Sequence, residues 1–151
     1  MSKSTGADIV VLKISNESQL QHAFKIRTRV FVEEQNVPPE DELDEHEDTA
    51  VHFLAYANDQ PAGTARYRYT DKGIKLERFA VLKEFRRLGL GKALMNAVMQ
   101  DITSDSSNHD KICYLHGQVA VINFYQAFGF MPEGDQFDEC GIMHYLMKRK
   151  F

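Results

Sequence analysis

The residues Arg86-Arg87-Leu88-Gly89-Leu90-Gly91 join a strand-like run, Ile74 to Leu82, to a strongly periodic helix that begins at Leu90. A junction of this make-up holds phosphate. Two glycines let the backbone turn tightly and approach a ligand, the helix start presents unpaired N–H groups and the positive end of a dipole, and the arginines add full charge. Cations at a helix start are otherwise disfavoured by that dipole, so Arg86 and Arg87 ask for an anionic partner. Spacing narrows the ligand. A nucleotide P-loop needs Gly at 86 and Ser or Thr at 93, where this chain has Arg86 and Ala93. The dinucleotide fingerprint needs a third glycine where Leu94 stands. What remains is Arg-x-x-Gly-x-Gly after a strand, followed by Lys92, which suits either a phosphate or the solvent face of the helix.

Such a loop has to be carried by a sheet and its helices, and the patterning supplies both. Asp8 to Ile14 reads as a first strand, and Asn16 with Gln19 has the form of a capping box, after which Leu20, Phe24, Arg27 and Phe31 recur at helical spacing. Ala50 to Ala57 and Ala62 to Thr70 read as strands joined across Asn58-Asp59-Gln60-Pro61, and Asp71-Lys72-Gly73 turns into Ile74 to Leu82, giving an antiparallel meander. Leu90, Ala93, Leu94, Ala97, Val98 and Ile102 make one apolar helix face. Lys111 to His116 follows as a strand, parallel to the one before the helix by the crossover rule. Val119 to Phe128 reads as a further helix, stopped by Gly129, and Phe130 to Met131 with Ile142 to Met147 close the sheet.

At 151 residues and 17.3 kDa the chain is expected to form one domain, with residues 1–7 as a flexible tail. A formal charge of −4 and a pI near 5.8 argue against nucleic acid as a partner. Apolar runs are too short for a bilayer, and the first residues lack the apolar stretch of a signal peptide, which predicts a cytoplasmic protein with no membrane partner. Cys113 and Cys140 have no metal-ligand spacing. Residues 40–48 carry seven carboxylates, which read either as a solvated loop or as a patch that steers a cation.

Three marks occur in order: Arg78-Phe79-Ala80-Val81 on the central strand, the arginine–glycine loop, and Phe124-Tyr125-Gln126-Ala127-Phe128-Gly129-Phe130. Together with the order of strands and helices they resemble the GCN5-related N-acetyltransferase (GNAT) superfamily from about residue 8 to the end. That likeness implies an α/β (α+β) fold, with a central mixed, mostly antiparallel sheet of six to seven strands and flanking helices. It also implies acetyl-CoA as cosubstrate without a metal, and allows a homodimer. The length, the acidic segment and Gly141-Ile142-Met143-His144 look most like small stand-alone enzymes of the glyphosate N-acetyltransferase type, which implies a small-molecule amine acceptor. A protein or peptide acetyltransferase of the same fold and a non-catalytic acyl-CoA-binding module are the alternatives.

The resemblance assigns roles residue by residue. Phe79, Ala80 and Val81 would pair through their backbone with the pantetheine arm, a backbone N–H near Val81 polarising the acetyl carbonyl. Arg86, Arg87, Leu88, Gly89, Leu90, Gly91 and Lys92 would hold the pyrophosphate. Tyr125 matches the family's general acid toward the departing thiolate. Many members carry an asparagine seven residues before that tyrosine, where this chain has Gln118. Two residues compete as the base: His144, where glyphosate-type enzymes carry a histidine, and Glu77, near where others use a glutamate through water.

Overall fold

The computed structural model describes residues 8–149, so the expected tail at 1–7 lies outside the described residues. Seven strands form one sheet: β1 (Ile9–Lys13), β2 (Val51–Ala57), β3 (Gln60–Thr70), β4 (Gly73–Val81), β5 (Cys113–Gln118), β6 (Met131–Glu139) and β7 (Ile142–Arg149). Their spatial order is β1-β2-β3-β4-β5-β7-β6, with β4 and β5 parallel and the other neighbours antiparallel. The helices are α1 (Glu17–Arg27), α2 (Pro39–Glu42), α3 (Leu90–Thr103) and α4 (Ile122–Gln126).

Strand alternation divides the molecule into layers. On one face Phe53, Ala55, Ala65, Tyr67, Ile74 and Leu76 meet α3, which buries Leu90, Leu94, Met95, Val98, Met99 and Ile102. Each buried Leu, Ile, Val, Phe or Met side chain among them contributes about 1.5–3 kcal/mol by leaving water. On the other face Leu54, Ala80 and Leu82 meet Ile26 of α1 and Val30 beyond it. The same alternation turns Arg66, Lys75 and Glu77 toward α1, so that face is only partly apolar.

Helix α1 starts as its residues require. The Asn16 side chain accepts from the Gln19 N–H (2.9 Å), and Gln19 Oε1 accepts from the N–H of Ser15 rather than of the cap residue itself (2.8 Å). Past Arg27 the helix widens over Thr28–Glu34, where the Gln35 N–H donates to the Val30 carbonyl five residues back (3.1 Å). Single wide turns of this kind recur at functional sites.

Two expectations need correction. The helix expected over Val119–Phe128 is shorter. Val119–Val121 is a 3-10 turn, α4 covers Ile122–Gln126, and the chain tightens into i→i+3 bonds before Gly129, at φ 89, ends it. The strand expected at Phe130–Met131 instead runs from Met131 to Glu139. It is an edge strand bonded to β7 alone and exposed along most of its length, so it carries no apolar alternation by which to be seen.

Candidate active site

The site is made by two strands that part. β4 and β5 pair at Ile74–Cys113, Lys75–Tyr114 and Leu76–Leu115 and no further. Beyond that point β4 bulges: Arg66 opposes Glu77 and Thr64 opposes Ala80, so Arg78 and Phe79 together face Ala65. Arg78 sits at φ 60, a left-handed conformation that costs a non-glycine residue about 1–2 kcal/mol. Its guanidinium holds it there, donating to the Glu42 carbonyl (2.9 Å) and to Asp44 (3.1 Å). The backbone of Phe79, Ala80 and Val81 is thereby released from β5 and lines a cavity of about 370 Å³. Val30, Phe31 and Gln35 form one wall, and Gln118, Tyr125 and His144 stand on the other.

Behind Val81 lies the glycine loop. Arg87 (φ 66) and Gly89 (φ 95) bracket Leu88 in left-handed conformations, the backbone form that makes an anion-holding concavity. The first N–H to find a carbonyl inside α3 belongs to Ala93, which donates to Gly89 (3.0 Å), so the amides of Gly89, Leu90, Gly91 and Lys92 point out of the helix end. Leu90 is buried and anchors the turn. A methyl group on Gly91 would meet the Phe124 ring at 3.4 Å, an ordinary van der Waals contact between α3 and α4. The guanidinium of Arg86, expected at phosphate, grips Glu34 with two 2.6 Å bonds and donates to the Val81 carbonyl (2.9 Å). Arg87 and Lys92 are exposed, and Arg87 has no side-chain partner among the described residues.

On the far wall, Tyr125 lies over Gly117 of β5, where a methyl group would come within 3.1 Å of its ring. Burial pushes the phenol up to about 12. Gln118 donates to Gln35 (3.0 Å), bridging the two walls. His144, 6% exposed, places Nδ1 2.7 Å from the Ile142 carbonyl. A carbonyl only accepts, so Nδ1 carries a proton and the lone pair of the neutral ring is on Nε2, the arrangement of a base. Two further neighbours, in no motif of the sequence, stand beside it. His116 approaches Glu139 through Nδ1 at 2.9 Å, and Glu139 Oε2 lies 3.9 Å from His144 Nε2. The hydrogen bond from His116 holds the Glu139 carboxyl below its ordinary value. No local pattern announced this cluster, because β6 brings Glu139 to β5 and β7 only through the sheet.

Glu77 also borders the cavity, but as part of an ion network. It accepts from Arg66 Nε and Arg68 Nε at 2.8 Å each, with Lys75 at 3.4 Å. Burial works to raise its pKa; the charge of Arg66, with Lys75 and Arg68, overrides this and holds the group down to about 2. A carboxylate so acidic accepts protons weakly. Three of the seven carboxylates of the acidic segment join the same network, and Glu40, Asp41, Glu45 and Asp48 are exposed. Glu42 pairs with Arg27 (2.6 Å), Asp44 with Arg66 (2.7 Å), and Glu47 with Arg27 (2.7 Å) and Arg66 (2.9 Å). Arg27 and Arg66 are among the largest fully buried side chains, and buried guanidinium groups need such partners.

An open strand edge and a helix start with outward amides are thus set on one parted sheet, with a phenol and an imidazole across from them. The family model described as an acetyltransferase (GNAT) domain matches residues 13–151. The chain is 38% identical over 135 residues to the uncharacterized N-acetyltransferase YjcF of Bacillus subtilis (89% of this chain, 94% of that one). It is 34% identical over 137 residues to protein ElaA of Escherichia coli (88% of each). The crystal structure of Escherichia coli ElaA superposes with a TM-score of 0.82 over 95% of this chain and 99% of that one. A GNAT family acetyltransferase from Elizabethkingia anophelis with acetyl-CoA bound shares the fold at 16% identity, with a TM-score of 0.70 over 95% of this chain and 98% of that one. The chain belongs to the GNAT acetyltransferase family.

Proposed function

We propose that the protein transfers an acetyl group from acetyl-CoA to the primary amine of a small molecule, by direct attack while both substrates are bound. The observation that carries this is the backbone of Phe79, Ala80 and Val81, freed from β5 by the bulge and continuous with the glycine loop. A pantetheine arm suits that edge, as an added strand would, and the amides of Gly89 to Lys92 with Arg87 and Lys92 suit its pyrophosphate. Leu88 completes the loop between its two left-handed residues. In this reading Arg86 positions the loop instead of touching phosphate. Acetyl-CoA supplies the activated thioester. A backbone N–H near Val81 stabilises the developing oxyanion. His144 Nε2 removes the amine proton, and Tyr125 protonates the thiolate as the C–S bond breaks. The phenol is a weak acid in its buried setting, yet the same burial disfavours the thiolate and so favours the transfer.

A small acceptor is favoured over a peptide by one contact: Gln118–Gln35 crosses the cavity, so an extended chain would meet an interrupted groove. Release of free thiol from acetyl-CoA, followed with panels of amines and of peptides, tests the reading. Turnover with amines is expected, and Tyr125→Phe should lower it roughly 10²-fold while leaving acetyl-CoA affinity unchanged. Turnover confined to peptides, or unchanged in Tyr125→Phe, would overturn the small-acceptor assignment or the tyrosine's role respectively.

A further inference from the structure

The acyl acceptor needs a place to arrive as well as a base to meet, and four side chains at the junction of β5, β6 and β7 make one. His144 Nε2 and Glu139 Oε2 face one another at 3.9 Å. Both are acceptors. With N–H···acceptor lengths of about 2.8–3.0 Å, one tetrahedral nitrogen reaches both at once, its two bonds bent only modestly. Glu139 is fixed for this by His116, whose Nδ1 stands 2.9 Å from the other carboxylate oxygen. Phe137 closes the side: its ring stacks on His144 (centroids 5.9 Å apart) and meets His116 edge-on (5.1 Å), so the two imidazoles keep their directions.

Four carboxylates line the cavity, Asp41, Glu42, Glu77 and Glu139, and Glu139 is the one that faces His144 Nε2. Glu42 is buried against Arg27 and Arg78, and Glu77 is matched by Arg66, Arg68 and Lys75. Glu139 is 44% exposed, and its nearest partners are two histidines rather than a fixed cation. His116 holds its Oε1, and its Oε2 is left to take a ligand.

We propose that Glu139 is a specificity residue that receives the acceptor as an alkylammonium ion, with His116 positioning it and His144 taking one of the ammonium protons. The substrate class is therefore a primary aliphatic amine, charged at neutral pH, in preference to weakly basic nitrogen nucleophiles that arrive uncharged. This rests on the transferase reading above. In the step, one N–H bond of the ammonium breaks and Nε2–H of His144 forms. The positive charge passes to the imidazole and the freed lone pair becomes the nucleophile, while Glu139 stays a carboxylate throughout and holds a second N–H. A charge-assisted hydrogen bond of this kind is worth enough to set the preference between charged and neutral amines.

Glu139→Gln keeps the shape and removes the charge. The test measures kcat/KM by thiol release for a panel of primary alkylamines with benzylamine, and for matching anilines and hydroxylamine, in the parent and in Glu139→Gln, with acetyl-CoA binding followed by thermal shift in both. The parent should prefer the charged amines. In the variant that preference should shrink roughly tenfold to a hundredfold, mostly through KM, with acetyl-CoA binding unchanged. His116→Ala should shrink it in the same direction by less. A parent that turns over neutral amines as well as charged ones, or a preference that Glu139→Gln leaves intact, would refute the assignment. If acetyl-CoA binds but no amine of either kind is acetylated, the amine-transferase reading itself falls and takes the inference with it.

Discussion

His144 and Glu77 both reach the cavity, yet they are held for different work. His144 keeps a lone pair on Nε2 because its other nitrogen is committed to the Ile142 carbonyl. Glu77 is surrounded by Arg66, Arg68 and Lys75, and its proton affinity is suppressed by the same charges that it neutralises. Removing each should therefore fail in a different assay. His144→Gln, which keeps most of the buried volume, is expected to cut turnover roughly 10²–10⁴-fold with little loss of Tm. Glu77→Gln leaves buried Arg66 short of a partner, which should cost on the order of 3 kcal/mol, about 6–12 °C in Tm for a chain of this size. Full thermal stability of Glu77→Gln with abolished turnover would reverse the two roles.

At the level of single elements, the two glycines of the loop have different duties despite adjacent places in one motif. Gly89 caps α3 at φ 95, where nothing but Ile9 stands near a would-be side chain, so the demand is on the backbone. Gly91 lies inside the helix with ordinary torsions and faces Phe124. Gly89→Ala should lower Tm, since the left-handed conformation costs an L-residue about 1–2 kcal/mol, and weaken acetyl-CoA binding as the amides rotate. Gly91→Ala should be neutral or stabilising by up to about 1 kcal/mol through helix propensity. Paired thermal melts with and without acetyl-CoA check both, and equal behaviour of the two variants would show that Gly89 is not the residue that sets the turn. Sequence spacing located the loop but could not separate these duties, because φ at Gly89 and the approach of Phe124 are set by how α3 meets the sheet and α4.

For the molecule as a whole, the ion network joins the segment after α1 to the centre of the sheet and sets a pH dependence. The carboxyls of Asp44, Glu47 and Glu77 are raised by burial but lowered further by their arginines, so their folded values lie below the unfolded ones. Their stabilisation is complete above the ordinary carboxylate range and is lost as pH falls toward about 2, the value of Glu77. His52 is buried and its pKa is lowered by desolvation, so acid below its ordinary value of 6.5 also favours the unfolded chain, where it can charge. Tm should decline gently below about pH 6.5 and steeply between about 5 and 3. A flat Tm down to pH 3 would show that these pairs add nothing to folding.

The order of strands and helices, the position of the glycine loop and the cap of α1 were determined by the sequence itself, since each rests on periodicity or on residues within a few positions of one another. Tyr125 and His144 were pointed to by the family resemblance, and the fold brings both to the cavity. Tertiary structure alone decided the rest. Arg86 met Glu34 across 52 residues, and Glu42, Asp44 and Glu47 turned inward to Arg27, Arg66 and Arg78 because α1 packs over a sheet face that carries buried guanidinium groups. Glu139 met His116 and His144 because an edge strand without apolar alternation folded back beside β7. Partners brought together by sheet pairing across 23 residues, as His116 and Glu139 are, leave no trace in local spacing.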